Sequence, residues 1–111
     1  MYRVTIADIA ELTDEVLNVE YCTEFLAAPT ISSKIVTTIS VTGQISFDSD
    51  KLFMRESAAA IAAWSLLKPG DDDMYKKVSV ELVNTGEIRY ELLYAFVVSY
   101  HEHFEDQNGF F

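Results

Sequence analysis

Positive charge is scarce in this chain. Eight lysines and arginines stand against eighteen aspartates and glutamates in 111 residues, a formal charge of −10. No cationic stripe is available to neutralise phosphates, so neither nucleic acid nor an anionic membrane is an expected partner. Cysteine is nearly absent: Cys22 stands alone, which excludes an internal disulfide and points to a reducing compartment. No basic segment leading into an apolar run opens the chain, so no classical signal peptide is expected. The longest stretch low in charge, Ser57 to Leu67, is too short and too alanine-rich to cross a bilayer. Catalytic signatures are missing as well. There is no nucleophile elbow, no glycine-rich phosphate loop and no zinc-protease helix, and only four glycines to shape a reactive pocket. The expectation is a non-enzyme without a cofactor.

What the chain does have is apolar residues, half of the total, in a length that suits one domain spanning 1–111. Their spacing is that of strands. Tyr2, Val4 and Ile6 alternate in a short first strand, and the acidic stretch "IADIAELTDE" then reads as a loop, with Glu11, Asp14 and Glu15 in solvent. In "VLNVEYCTEF", Val19, Tyr21, Thr23 and Phe25 alternate with Asn18, Glu20, Cys22 and Glu24. The longest alternation follows: Ile31, Ile35, Ile39, Val41, Ile45 and Phe47 take one parity. Ser32, Lys34, Thr38, Ser40, Thr42, Gln44 and Ser46 take the other. As one strand this segment would run roughly 55 Å at about 3.3 Å per residue, so two strands, or an arm followed by a strand, are expected, with Gly43 as a bulge or bend.

One helix is predicted, over about 49–67. "DSD" offers caps at Asp48, Ser49 or Asp50, and the alanine-rich run after it places Phe53, Ile61, Trp64 and Leu67 near one face. Lys68-Pro69-Gly70 ends it. Asp71, Asp72 and Asp73 lack the ligand spacing of a calcium loop and read as a solvated turn. A hairpin follows, turning at "NTG" with Gly86 in positive φ. Its return strand sets Ile88, Tyr90, Leu92, Tyr94, Phe96, Val98 and Tyr100 on one face. Leu93, Ala95 and Val97 form a second apolar patch in need of a cover. His101 and His103, two apart on a strand, would point the same way with Glu105. They are read as polar strand-end residues, and no metal site is assigned to them.

Together these segments resemble the haemolysin-coregulated protein family, the tube proteins of type VI secretion, and the related tail-tube proteins of phages and other contractile injection systems. The resemblance runs from Val16 to the end. It rests on "VLNVEYCTEF", "TGQISFDSD", a helix ending "AAWSLL" and, above all, "AFVVSYHEHFEDQNG". It implies a β-barrel or sandwich of antiparallel strands with one helix, a tail-tube-like fold. The implied role is that of a structural subunit, six to a ring, the rings stacking into a tube that delivers a spike or effector. Copies of itself, a sheath, a baseplate and cargo would be the partners, and the subunit would assemble in the cytoplasm before ejection. Family members continue past the turn at Asp106–Gly109 with another strand. On that comparison Phe110 and Phe111 begin a strand that the chain lacks, or one that a neighbour completes.

Ile31, Ile35, Leu93, Val97, Phe110 and Phe111 are accordingly expected at subunit contacts. The neutral row Ser32, Thr38, Ser40, Thr42 and Gln44 is expected to face a wet lumen. The competing expectations are a monomeric small barrel holding a ligand or metal through His101 and His103, and an acidic surface for a basic protein.

Overall fold

The computed structural model describes residues 1–26, 34–106 and 108–111. They form two four-stranded antiparallel sheets and one α-helix. The first sheet has the order β2-β1-β5-β6, from Ala10–Leu12 (β2), Tyr2–Ile6 (β1), Lys76–Leu82 (β5) and Glu87–Ala95 (β6). The second has the order β3-β4-β8-β7, from Val16–Leu26 (β3), Lys34–Ser46 (β4), Asn108–Phe110 (β8) and His103–Glu105 (β7). Among the described residues neither sheet closes on itself, and no ladder joins one to the other. The expected barrel, and the tail-tube architecture that depends on its closure, is thereby corrected. The edge strands β2, β6, β3 and β7 each lack a second ladder among the described residues.

The core lies where the helix Leu52–Ser65 (α1) and the inner faces of both sheets converge. Val4, Ile6, Leu12, Val78 and Val80 come from the first sheet and Ile61 and Trp64 from α1, while Val19, Ile39 and Val41 of the second sheet pack against them. α1 begins after a 3-10 turn at Ser49–Lys51 and ends at Ser65, two residues short of the expected span, and no side chain caps either start. Its buried face is Met54, Ala58, Ile61 and Trp64, spaced by four, three and three. Phe53, expected on that face, is exposed, and Met54 takes its place. The Trp64 indole Nε1 donates to the Met74 carbonyl at 2.7 Å, tying the loop after the helix to the core.

Several strand readings need revision. "IADIAELTDE" is not all loop: Asp8 takes a positive φ of 63°, and the chain turns back so that β2 pairs with β1 and buries Leu12. Glu15 is not solvated. It is fully buried, its Oε1 accepting from the Thr13 N–H at 2.5 Å while Oε2 has no partner among the described residues. Glu11 does stay at the surface, 3.1 Å from Arg3. From Lys34 onward the long alternating segment is a single strand of 13 residues, because β3 pairs with it in register over nearly its whole length. Gly43 is no bulge itself. The extra residue lies opposite, where Leu17 is inserted between Val16 and Asn18.

β6 departs furthest from its simple alternation. It pairs Glu81 with Ile88 but Val80 with Tyr90, and Val78 with Leu92 but Lys76 with Ala95. Each step adds a residue to β6, and each added residue flips the side chains beyond it to the other face. Tyr90 and Leu92 therefore turn inward, Ile88 and Tyr94 outward, and Ala95, Val97 and Tyr100 inward again. The single face expected from Ile88 to Tyr100 does not exist.

Candidate interaction surface

Surface features of the molecule concentrate on β3, β4 and the stretch from β6 to Tyr100. The β3–β4 pair runs eleven and thirteen residues and carries the molecule to 55 Å in its longest dimension. Its radius of gyration is 15.4 Å, against about 13 Å for a compact chain of this length. The two faces of this pair differ. Val19↔Val41, Tyr21↔Ile39 and Thr23↔Thr37 stand opposite one another on the apolar side, with Ile35 further along β4 on the same side. Asn18↔Thr42, Glu20↔Ser40, Cys22↔Thr38 and Glu24↔Val36 make the other side. Toward its base the apolar side packs on the core; toward its far end the core runs out, and Ile35 is 61% exposed.

Of the expected contact residues Ile31 lies outside the described residues, as does Ser32 of the expected lumen row. Ile35 and Leu93 are exposed, Leu93 because it sits in the second bulge of β6. Val97 is half-buried against the chain's own core, and so is Phe111. Phe110 pairs with Gln44 on one side and His103 on the other. Phe111 exchanges two backbone hydrogen bonds of 3.0 Å with Gly43. Its ring lies over that glycine so closely that a Cβ there would fall 2.0 Å from the ring. The two phenylalanines thus sit between β7 and β4, where the turn at Asp106 returns them.

On the expected lumen row, Ser40 and Thr42 are exposed, while Thr38 and Gln44 are half-buried. This face is not neutral, as β4 alone suggested, because pairing sets the exposed carboxylates of Glu20 and Glu24 beside the hydroxyls. Cys22, also exposed, lies between them. The histidines separate. His103 Nε2 is 3.1 Å from Glu105 Oε1 on β7, whereas His101 precedes the strand and lines a cleft. Among the described residues no three of His, Cys, Asp and Glu come together as metal ligands.

That cleft, about 760 Å³, was not foreseen. One wall is Val36 to Thr42 of β4 and the other Glu91 to His101; Ile61, Trp64 and Val78 lie in its floor. Tyr21 stacks on Tyr90 with ring centroids 4.1 Å apart, linking β3 to β6. Tyr100 is fixed by its hydroxyl, 2.5 Å from Glu102 Oε1 and 3.2 Å from the Ala58 carbonyl. With one proton to give, it donates to the nearer carboxylate. Burial, then the hydrogen bond to Glu102 and its negative charge, push the phenol well above its ordinary pKa.

No family profile, curated protein or solved structure matches this chain.

Proposed function

We propose that the chain is a structural, self-assembling subunit that closes copies of itself into rings around a wet passage, the role its resemblance to injection-system tube proteins implies. The observation that carries this reading is the β3–β4 arm, one face polar and the other ending in uncovered Ile35. A long two-stranded arm with one apolar face is marginal in water unless something packs on it. A neighbouring copy supplies that cover, and the Asn18, Glu20, Ser40 and Thr42 side is then left to the lumen. Sheath, spike and cargo proteins would be further partners.

Light scattering on purified protein tests the reading, with electron microscopy for annular particles. Wild type should run at a multiple of 12.5 kDa. Ile35→Asp should run as a folded monomer, because a carboxylate buried between copies without a partner costs several kcal/mol, about 2–7 by transfer scales. A monomeric wild type at all concentrations would refute assembly. Rings that persist in Ile35→Asp would remove the arm from the contact.

A further inference from the structure

Among the described residues, two strands bordering the cleft lack a partner on the side that faces it. β3 covers one side of β4 from Lys34 to Gly43, but β8 covers the other only at Gln44 to Ser46, with Phe111 bonded at Gly43. The Gly43 N–H and C=O both point toward β8. Strand alternation puts those of Val41, Ile39 and Thr37 on that same side, toward the cleft. Among the described residues no ladder takes them up. Opposite, β6 pairs only with β5, and residues 96–102 belong to no ladder. Repeated backbone amides above an apolar floor are therefore within reach of an occupant, beside the hydroxyls of Thr37, Ser40 and Ser99, the Glu91 carboxylate and His101 on the walls. An unpaired edge beside apolar pockets is the arrangement that accepts an added strand.

We infer that the cleft receives an extended peptide strand of a partner protein, lying along β4 in line with β8. Its apolar residues, at every second position, point to the Ile61 and Trp64 floor, and basic residues occupy the positions between. The charge follows from the surroundings. Among the described residues no lysine or arginine lines the cleft; Glu91 stands on one wall, 3.4 Å from Lys77, and Glu20 and Glu24 lie one strand beyond the other. Seven residues, matching Val36 to Thr42, would span roughly 23 Å as a strand. No edge strand of a second copy carries the pattern: β3 intersperses Asn18, Glu20, Cys22 and Glu24, β6 intersperses Glu87, Arg89 and Glu91, and β2 and β7 are only three residues each, Ala10–Leu12 and His103–Glu105.

The test uses full-length protein and the capped peptide Lys-Val-Lys-Val-Lys-Val-Lys. Amide exchange by nuclear magnetic resonance is the main readout, and emission of the sole tryptophan, in the cleft floor, is the second. Saturating peptide should slow exchange at Thr37, Ile39 and Val41 tenfold or more and shift the Trp64 emission. Replacing the central valine by proline, or every lysine by glutamate, should weaken binding at least tenfold. Unchanged exchange at those three amides overturns the inference, as does equal binding of the proline peptide. Equal binding of the glutamate peptide overturns the charge pattern. Masses measured on the same samples report assembly separately, so failure here leaves the ring reading standing and the reverse also holds.

Discussion

Individual side chains carry the clearest energetic consequences. Trp64 is 7% exposed, packed among Ile61, Val4 and Val78, and its indole proton satisfies the Met74 carbonyl. Trp64→Ala removes the ring and strands that carbonyl, so a loss of about 3–5 kcal/mol is expected in chemical denaturation. A midpoint equal to wild type would place the indole outside the core. Spacing from Ile61 marked Trp64 as core on sequence alone, because a helix repeats its faces every three to four residues. Glu15 shows the opposite. A carboxylate in an acidic run looks solvated, and only the turn that brings β2 back on β1, with the Gln44 N–H donating to the Glu15 carbonyl at 2.7 Å, encloses it. Nothing local announces that enclosure.

At the scale of elements, the stretch after β6 is held by side chains in place of a ladder. Tyr100 reaches α1 and Glu102, and Phe96 meets Tyr75 edge-on at 6.0 Å. The Tyr100 phenol is raised in the folded state, so folding favours its protonated form. That contribution is fully present below the unfolded tyrosine pKa of about 10 and is lost as pH rises through the folded value. Stability should therefore fall with rising pH above about 10, and Tyr100→Phe should flatten the decline. At pH 11 the phenolate absorbance of folded wild type should equal that of folded Tyr100→Phe. An extra phenolate in wild type would mean the hydroxyl is not so constrained. The bulges of β6 belong to this scale too. Period-two patterning identified the strand, yet an inserted residue changes facing without changing composition, so Leu93 and Val97 looked alike and ended apart.

For the whole molecule, charge bears on the proposed assembly. Each chain carries −10, and bringing several together would work against that repulsion over a screening length of about 30 Å at 0.01 M salt and about 8 Å at 0.15 M. Assembly should strengthen between those salt concentrations, read as an increase in weight-average mass by light scattering. A decrease would mean that ion pairs between copies, and not apolar contacts such as that proposed for Ile35, hold the assembly. Within one subunit, few cations remain to offset the acids, since Arg3, Lys76, Lys77 and Arg89 each already lie within 4 Å of a carboxylate of their own chain.

By itself the sequence determined the class of element along most of the chain. Alternation marked β1, β3, β4 and β5, alanine-rich helical spacing marked α1, and Gly86 with its φ of 69° turned the hairpin that was expected there. These are local preferences, expressed wherever neighbouring residues allow them. Only the tertiary structure decided that β2 exists, that Glu15 is enclosed, which way β6 faces after each bulge, and that the two sheets stop short of closing. Each of those depends on which backbone hydrogen bonds are made between segments distant in sequence, and composition leaves that choice open. The cleft is the direct result: two strand edges that alternation could identify, left facing each other by a topology that it could not.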